Sequence, residues 1–258
     1  MVPLAAGWLA SPLMHPLPHL GDGLTGHALF LDVDGTLLDI APSPDGVEVP
    51  AGMVALLQQL SRRLDGALAF VSGRTIAAID RLFAPLKFPA VGVHGGELRL
   101  NGEHVTADEG LVAELQRVLP RLREAIAAAP GVWLEDKHCA IALHYRNVPE
   151  RGREVLNAAE LVVAGLGPQF GVLMGKCVVE IRPRHMTKGA SLRWLMDRPP
   201  FRGRTPIFAG DDVTDEDAFA VVNQLGGVSM RVGPGAATAA TYRVADPGQL
   251  LRWLQEVA

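Results

Sequence analysis

The side chains of this chain that could do chemistry follow short apolar runs. Asp32 and Asp34 come after Ala28-Leu-Phe-Leu31, and Asp211 follows Ile207-Phe-Ala209 across a glycine. An unbroken apolar run predicts a strand buried on both faces, as in a parallel sheet, and open sheets bind ligands at the carboxyl ends of such strands. Carboxylates gathered there repel each other unless a proton or a cation lies between them, and Mg²⁺ prefers hard oxygen ligands. We therefore predict an acidic site for a divalent cation at this edge.

A hydroxyl, a glycine and a lysine add to this acidic set. Ser72 and Gly73 follow the apolar run 67–71, and Lys188 opens a segment with helical spacing of its apolar residues. The Ser72 hydroxyl can donate a hydrogen bond, Gly73 lets a ligand approach the backbone, and Lys188 can neutralise a carboxylate or a transferring anion. Each motif alone is common in turns and on surfaces. Four of them in this order, at strand and helix ends, indicate one shared site.

Taken together, these motifs resemble the haloacid dehalogenase-like phosphohydrolases over residues 28–250. In that superfamily the first aspartate attacks the phosphoryl group and the second transfers protons, which implies Asp32 as the nucleophile and Asp34 as the general acid and base. The resemblance implies Mg²⁺ as the cofactor, held by Asp32, by the backbone carbonyl of Asp34 and by Asp211. Asp215 is a weaker candidate ligand, expected to act from further away or through water.

Six longer motifs narrow the resemblance. They are Leu31-Asp-Val-Asp-Gly-Thr36, Val71-Ser-Gly-Arg74, Gly92-Val-His-Gly95, Ala142-Leu-His-Tyr-Arg146, Val179-Glu-Ile-Arg-Pro183 and Gly210-Asp-Asp-Val-Thr-Asp-Glu216. Together they resemble bacterial trehalose-6-phosphate phosphatases. Such a phosphatase hydrolyses trehalose 6-phosphate to trehalose and phosphate through an aspartyl-phosphate intermediate, and a functional pairing with a trehalose-6-phosphate synthase is implied as well.

The resemblance also implies which residues bind the substrate. In the family, polar residues of a cap reach the glucose hydroxyls, and Glu135, Lys137 and Glu180 correspond to them by position. Strand alternation supports Glu180, which leaves its strand on the side opposite to Val179. His94 is either a pocket residue or a hydrogen-bonded structural histidine. The predicted substrate-binding residues are Gly73, Arg74, His94, Glu135, Lys137 and Glu180, with His144 and Arg146 as further candidates, and the predicted catalytic residues are Asp32, Asp34, Ser72 and Lys188.

The elements that must position these residues predict an α/β fold. Strand and helix signals alternate in the first and last thirds of the chain, which implies parallel pairing with right-handed crossovers. The middle third gives a helix, two strands, a helix and two strands, which is a compact α+β unit. We predict a doubly wound, Rossmann-like parallel-sheet core (25–105 and 184–258) with an inserted α+β cap domain (106–183), after a poorly ordered N-terminal lead (1–24).

Three local features of the cap follow from its sequence. Pro120 should kink or split the helix that carries the apolar stripe 111–126. The first hairpin is predicted to turn at Glu135-Asp136-Lys137-His138. The second is predicted to turn at Gly175-Lys176, because a glycine in first position is typical of a type II′ turn.

Composition and charge exclude several classes of partner. The net charge of −4 and the absence of a basic run argue against nucleic acid and anionic membranes. No segment has the about 18 consecutive apolar residues that span a bilayer, and residues 1–24 lack the basic start of a secretory signal. Cys139 and Cys177 form no disulfide or metal pattern, so reduced thiols and a cytoplasmic location are expected. A small sugar phosphate remains the predicted partner.

Three alternatives remain open on these residues. The core motifs do not separate trehalose 6-phosphate from sucrose 6-phosphate or a hexose phosphate, because only cap residues discriminate between sugars. A non-catalytic module that binds sugar phosphates would use the same fold, although all the expected core aspartates and the lysine are present. A phosphotransferase that passes the phosphoryl group to a second sugar would keep the same motifs, and only its products distinguish it from a hydrolase.

Overall fold

The computed structural model describes residues 17–18, 23–41, 46–127, 129–234 and 237–258. Most of the predicted N-terminal lead lies outside these residues. Its described part contacts the remainder of the chain, since Trp253 Nε1 donates to the Pro18 carbonyl at 3.2 Å and Leu24 is buried. Among the helices of the described ranges, none combines the length and the apolar character that a membrane span requires.

The described part of the chain forms two β-sheets and the helices that cover them. In chain order the strands are β1 (His27–Leu31), β2 (Leu68–Val71), β3 (Ala90–Gly92), β4 (Glu97–Leu100), β5 (Glu103–Thr106), β6 (Trp133–Asp136), β7 (Ile141–His144), β8 (Phe170–Gly175), β9 (Val178–Pro183), β10 (Thr205–Gly210), β11 (Val228–Val232) and β12 (Tyr242–Val244). The helices are α1 (Met53–Arg63), α2 (Ile76–Leu82), α3 (Glu109–Ala127), α4 (Gly152–Leu166), α5 (Lys188–Met196), α6 (Glu216–Gln224) and α7 (Pro247–Val257).

Eight strands form the larger sheet, in the order β12-β11-β10-β1-β2-β3-β4-β5. The strands from β12 to β3 pair in parallel, and the β4–β5 hairpin adds an antiparallel edge. At the centre, Leu31 of β1 lies between Ala209 of β10 and Phe70 of β2. These strands are buried on both faces, as their unbroken apolar runs predict. The predicted α/β class with a Rossmann-like core is confirmed.

Helix α7 is absent from the elements that the sequence analysis predicts. Its side chains Leu250, Trp253 and Leu254 are buried against the core. The start of the helix has a recognisable signal, because Asp246 caps it by accepting a hydrogen bond from a backbone N–H and Pro247 occupies its first turn. The helical spacing of the three apolar residues completes that signal.

Strands β6, β7, β9 and β8, in this order, form a second, antiparallel sheet that belongs to the inserted cap. Helices α3 and α4 cover one of its faces and bury Leu115 and Val155 against Val179 and Ile181. Glu180 lies on the opposite face, as strand alternation predicts. The order of helices and strands agrees with the predicted cap, while its boundaries at residues 106 and 183 stay a prediction.

Helix α3 runs without a break through Pro120, so a helix split in two is wrong. A proline inside a helix lacks the N–H that would bond to the carbonyl four residues earlier. The buried side chains Leu115, Leu119 and Leu122 lie on both sides of this position. Their packing on the cap sheet holds the two halves of the helix together across the missing hydrogen bond.

The first cap hairpin turns later than the sequence predicts. Glu135 lies inside β6, opposite Ala142 of β7, so the turn begins at Lys137. His138 adopts a left-handed backbone with φ of 66°, and its N–H donates to Asp136 Oδ1 at 2.8 Å. This local hydrogen bond closes the turn two residues beyond the predicted position.

The second cap hairpin also turns one residue later than predicted. Gly175 lies in β8, opposite Val178, so Lys176 and Cys177 form the turn. The positive φ falls on Cys177, at 59°, and not on Gly175, so the predicted type II′ turn is wrong. One consequence is that Lys176 stands at the tip of the hairpin.

A small apolar cluster, which we call the crossover cluster, joins the cap to the core. Val93 and Met186 contribute from the core side, and Val112, Cys139 and Ala140 contribute from the cap. Met186 follows β9, where the chain re-enters the core. The burial of Cys139 raises the pKa of its thiol to about 12. Both cysteines are free thiols, as the sequence predicts.

Candidate active site

The carboxyl edge of the larger sheet gathers the predicted catalytic residues. Strands β1, β2 and β10 end side by side, and Asp32, Ser72 and Asp211 directly follow them. Each of these three residues is no more than 5% exposed. Lys188 enters the same site from the first position of α5, where the hydroxyl of Thr187 caps the helix.

Lys188 is a buried cation between two aspartates. Its Nζ donates to Asp32 Oδ1 at 2.9 Å and to Asp215 Oδ1 at 2.6 Å. Burial alone would lower the pKa of Lys188, but the two carboxylates raise it above its usual value, so the amine is charged at neutral pH. Thr36 Oγ1 donates to the other oxygen of Asp32 at 3.2 Å. Hydrogen bonds to both oxygens therefore hold the Asp32 carboxylate in one orientation.

Asp215 uses both of its carboxylate oxygens inside the protein. Oδ1 accepts from Lys188, and Oδ2 accepts from the backbone N–H groups of Asp211 and Asp212 at 3.0 Å each. Asp212 and Asp215 also cap the short 3-10 turn Val213–Asp215 reciprocally. Because its oxygens are engaged, Asp215 suits a role in positioning Lys188 better than direct binding of a metal ion.

Three carboxylates lie close enough together to share one cation. One oxygen each from Asp32, Asp211 and Asp215 lies within 4.8 Å of the others. Burial raises the pKa of Asp32 well above its usual value, Lys188 only partly offsets this rise, and the other two aspartates add to it. Burial also raises the pKa of Asp211. Such an excess of buried negative charge fits a divalent cation, with Asp32 and Asp211 as the side chains that would hold it.

Gly35 permits the close approach of Asp211 to the turn after β1. Its φ is +80°, and a Cβ at this position would overlap the carboxylate of Asp211. The Gly35 N–H donates to the Leu38 carbonyl at 2.7 Å, which closes the turn. The glycine is therefore required both by the backbone conformation and by the packing of the acidic site.

Arg74 holds Asp34 in a two-bond ion pair. Its Nε donates to Asp34 Oδ2 and its Nη2 donates to Oδ1, both at 2.7 Å. The backbone N–H of Arg74 also donates to Ser72 Oγ at 3.2 Å. The Asp34 side chain is 36% exposed, so substrate and water can reach it. Arg74, which is predicted to bind substrate, thus contacts the predicted general acid and base in the structure.

Glu180 and Lys137 form a buried ion pair on the cap side of the site. Lys137 Nζ donates to Glu180 Oε1 at 2.5 Å and to the carbonyl of Gly73 at 3.0 Å. Burial opposes both charges, yet the carboxylates around Lys137 raise its pKa, and Lys137 is the main group that holds the pKa of Glu180 at about 2. Both groups are charged at neutral pH. The pair links the cap to the end of β2.

His94 lies between Gly73 and Glu180. A Cβ on Gly73 would overlap the imidazole, whose Nε2 is 3.3 Å from Glu180 Oε2. Burial lowers the pKa of His94 to about 3, so the ring is neutral. Within the described part of the chain, His94 Nδ1 and Glu180 Oε2 are buried without a hydrogen-bond partner. Unpaired buried polar atoms are rare, and these two fit a polar ligand.

Glu135 belongs to a second polar group on the cap sheet. Its Oε2 lies 2.9 Å from His144 Nε2 and 3.9 Å from Lys137 Nζ. These neighbours keep the pKa of Glu135 below its usual value although burial acts to raise it. Trp133 stacks on the ring of His144, with centroids 3.8 Å apart and planes at 7°. A carboxylate, an ammonium group, an imidazole and an indole ring thus lie next to each other on the cap sheet.

These side chains line one cleft of about 310 Å³ between the core and the cap. Asp215 is the one predicted site residue outside its lining, because it lies behind Lys188. The lining includes Asp32, Asp34, Ser72, Gly73, Arg74, His94, Lys188 and Asp211 from the core, and Glu135, Lys137, His144, Arg146 and Glu180 from the cap.

A larger cavity, of about 710 Å³, lies at the opposite edge of the core sheet. Three of its charged groups pair with each other, because Arg99 donates to both oxygens of Asp80 at 2.8 Å and Lys87 pairs with the same carboxylate. A fourth, Asp65, pairs with Arg204. The catalytic candidates lie elsewhere. The smaller cleft is therefore the candidate active site.

The cleft side chains that the sequence predictions leave out include Lys176 and Trp133. Lys176 Nζ, from the tip of the β8–β9 hairpin, donates to Asp211 Oδ2 at 2.5 Å. No sequence pattern signals this contact, because it depends on how the cap lies on the core. Trp133 could have been found, since it lies two residues before Glu135 on one strand and alternation places both on one face.

Comparison with known proteins identifies the family. The sequence profile of the trehalose-phosphatase family matches residues 30–248. This chain belongs to the trehalose-phosphatase family. The predicted resemblance is thereby confirmed, and the phosphatase class with it.

Named relatives of this trehalose-phosphatase cover most of its length. It is 42% identical over 247 residues to the trehalose-6-phosphate phosphatase of Escherichia coli (strain K12), and the match spans 95% of this chain and 91% of that protein. It is 46% identical over 219 residues to a probable trehalose-phosphate phosphatase of Sinorhizobium fredii, and this match spans 84% and 82%. The crystal structure of a trehalose-6-phosphate phosphatase related protein superposes with a TM-score of 0.75 at 27% identity, over 89% and 96% of the two chains.

Proposed function

We propose that this phosphatase hydrolyses trehalose 6-phosphate to trehalose and inorganic phosphate. One observation carries the proposal: the oriented carboxylate of Asp32 and the buried Glu180–Lys137 pair line the same cleft. The core side supplies a nucleophile, and the cap side supplies a donor and an acceptor for sugar hydroxyls. The relatives at 42% and 46% identity, named for this substrate, support the same conclusion.

In the first step an oxygen of Asp32 attacks the phosphorus atom. A phosphorus–oxygen bond to Asp32 forms while the bond to the sugar oxygen breaks, and Asp34 gives its proton to that leaving oxygen. Lys188 acts as a fixed positive charge beside the attacking carboxylate and the phosphoryl oxygens. The Ser72 hydroxyl is placed to donate to a phosphoryl oxygen.

In the second step water hydrolyses the aspartyl phosphate. Asp34, now ionised, takes a proton from water as the water oxygen attacks the phosphorus atom, which releases phosphate and restores Asp32. Arg74 holds the ionised Asp34 carboxylate in one orientation for the proton transfer from water, because its two hydrogen bonds engage both oxygens. The exposed fraction of Asp34 gives the attacking water a path.

We further propose Mg²⁺ as the cofactor of this site. Asp32 and Asp211 would hold the ion, and the backbone carbonyl of Asp34 remains the predicted third protein ligand. When bound, the cation neutralises charge on the phosphoryl oxygens and keeps the nearby carboxylates ionised. A functional pairing with a trehalose-6-phosphate synthase stays a prediction.

We propose that the cap selects the sugar through buried polar groups. Glu180, Lys137 and His94 can bond to hydroxyls, and an analogue that leaves such groups unpaired binds poorly because their desolvation is not offset. Glu180 Oε2 and His94 Nδ1 are buried without a hydrogen-bond partner among the described residues, so a sugar hydroxyl would stabilise these two atoms most. The contacts favour Glu180 and Lys137 at the centre of the sugar site and Glu135 nearer its rim.

Phosphate release from trehalose 6-phosphate, sucrose 6-phosphate and glucose 6-phosphate with Mg²⁺ tests the proposal. We expect the trehalose ester to have the highest kcat/KM, with activity abolished by Asp32→Asn and by EDTA. Asp39→Asn, which alters an exposed aspartate after the same strand, is the matched control and should keep full activity.

Other outcomes separate the alternatives. Preference for another ester, with the same dependence on Asp32, would keep the mechanism and reject trehalose 6-phosphate. Absence of Asp32-dependent release from all three esters would favour a binding module. Transfer of the phosphoryl group to an added sugar in place of water would identify a phosphotransferase.

A further inference from the structure

Trp133 is an exposed aromatic side chain that lines the cleft between the core and the cap. It is 40% exposed, although large apolar side chains are usually covered in folded proteins. Ile40, which is 43% exposed, lines the same cleft from the core. Exposed apolar surface within a ligand cleft indicates a surface that a ligand covers.

The ring of Trp133 is held in place by its neighbours. His144 lies opposite it across the β6–β7 pair and stacks on it with nearly parallel planes. Glu135 in turn fixes His144 through a hydrogen bond of 2.9 Å. A rigid aromatic ring loses little conformational freedom when a ligand packs on it, so it is well suited to binding.

We infer that Trp133 is the stacking surface for the sugar ring that does not carry the phosphate. This inference rests on the proposed function and deepens it. The phosphate must lie at Asp32, so the ring that bears it lies nearest the core, and a second ring extends along the cleft toward the cap. A pyranose has C–H bonds on its faces and hydroxyls at its edge. The C–H face packs on the electron-rich face of an indole. Glu135 lies on the same face of β6 as Trp133, and Lys137 lies 3.9 Å from Glu135, so both can bond to the hydroxyls at the edge of that ring.

The alternative explanation is that Trp133 only supports the cap sheet. Its position argues against this role, because Trp133 lies on the edge strand β6 and does not belong to the buried cap core formed by α3, α4 and the sheet. The side chain fills no interior space that would collapse without it. Its indole therefore serves the cleft.

Steady-state kinetics of Trp133→Ala and Trp133→Phe test the inference. For trehalose 6-phosphate we expect Trp133→Ala to raise KM about tenfold with kcat nearly unchanged, because stacking holds substrate and transition state alike. For glucose 6-phosphate, which lacks the second ring, KM should stay within about twofold. Trp133→Phe should restore most of the affinity. Leu161→Ala, an exposed residue on the outer face of α4, is the control in the same cap and should match the unaltered enzyme.

A binding measurement separates this inference from the proposed function. Calorimetric titration with trehalose, which carries no phosphate, should give at least about tenfold weaker binding to Trp133→Ala than to Trp133→Phe. Equal KM values for trehalose 6-phosphate in both variants and the unaltered enzyme would overturn the inference. A rise in KM that is just as large for glucose 6-phosphate would also overturn it, because the effect would then not depend on the second ring. Failure of the unaltered enzyme to act on trehalose 6-phosphate would instead reject the proposed function.

Discussion

Lys176 Nζ of the cap lies 2.5 Å from Asp211 Oδ2 of the core. The lysine stands at the tip of a hairpin and is half exposed, whereas the carboxylate it reaches is buried. The ammonium group of Lys176 thus contacts a carboxylate oxygen of Asp211 that is also a candidate ligand for Mg²⁺. Lys176 and a metal ion at the proposed site would compete for the same negative charge, and the Lys176–Asp211 ion pair joins the cap to the core.

Replacement of Lys176 by Gln should strengthen the binding of Mg²⁺. Without the competing ammonium, we expect the Mg²⁺ dissociation constant to fall about threefold to tenfold. Calorimetric titration with Mg²⁺ measures this directly, and the Mg²⁺ dependence of phosphate release gives a second reading. Lys87→Gln, at the opposite edge of the sheet, should leave both unchanged. Unchanged or weaker Mg²⁺ binding in Lys176→Gln would show that the lysine does not compete with the ion.

Replacement of Asp215 by Asn should act mainly on stability. The variant removes the charge that pairs with buried Lys188, and breaking a buried pair costs about 3 kcal/mol in the free energy of unfolding. Urea denaturation measures this loss. Asp211→Asn should instead weaken Mg²⁺ binding at least about tenfold with a smaller loss of stability. The reverse pattern would make Asp215, rather than Asp211, the direct ligand.

Replacement of Gly35 by Ala should disrupt the acidic site itself. The new methyl group overlaps the carboxylate of Asp211, and the alanine must also adopt a φ of +80°. Gly26→Ala is a close control, because Gly26 has a φ of +74° but a Cβ there would meet nothing within 4 Å. Both variants should lose about 1–2 kcal/mol of stability from the backbone. Only Gly35→Ala should lose activity, by about a hundredfold or more, because it displaces the Asp211 carboxylate of the proposed metal site. Equal activity in the two variants would mean that the overlap with Asp211 is harmless.

The folded protein should lose stability as the pH falls below 6.5, in part through His94. The pKa of this histidine is about 3 in the folded state and near 6.5 in the unfolded state, so the unfolded chain binds the extra proton in this range. The contribution of His94 to the free energy of unfolding is complete above pH 6.5. It falls by up to about 1.4 kcal/mol per pH unit as the pH is lowered to the folded-state pKa. Glu180, with a pKa of about 2, adds a loss of the same sign below pH 4.5.

Urea denaturation of the unaltered protein and of His94→Asn between pH 7 and 5 isolates this contribution. Asparagine tolerates the left-handed backbone at this position, where φ is 53°, and it does not titrate. The slope of stability against pH should be smaller in the variant. Equal slopes of stability against pH in the two proteins would mean that His94 is protonated as readily in the folded protein as in the unfolded chain.

Much of the catalytic edge could be predicted from the sequence, because local patterns determine it. Unbroken apolar runs predict strands buried on both faces, and the carboxyl ends of neighbouring parallel strands meet. Asp32, Ser72 and Asp211 come together for this reason. Lys188 could be placed as well, since it begins a helix that packs on the same sheet. The salt bridge between Lys188 and Asp215 then depends only on adjacent elements of the core.

The contacts between cap and core could not be predicted in the same way. Lys176 meets Asp211, and Arg146 Nη1 meets the carbonyl of Ala41 at 2.6 Å, across long stretches of chain. The two pairs depend on the angle at which the cap lies on the core, and neither strand alternation nor helical spacing encodes that angle.

The late turns of the two cap hairpins have a simpler cause. A non-glycine residue takes the positive φ in each of them, whereas turn rules expect a glycine there.

The crossover cluster and the mouth of the cleft differ in how readily water can replace their contacts. At the mouth the cap touches the core through two basic side chains, Arg146 and Lys176, whose partners are oxygens that water solvates well. At the crossover the contact consists of small apolar groups, and separating them would expose hydrocarbon to water. The easiest deformation of the molecule is therefore a rotation that parts the mouth and keeps the crossover intact. In such a rotation the crossover cluster would be the hinge, and the contacts of Arg146 and Lys176 would be the ones that break.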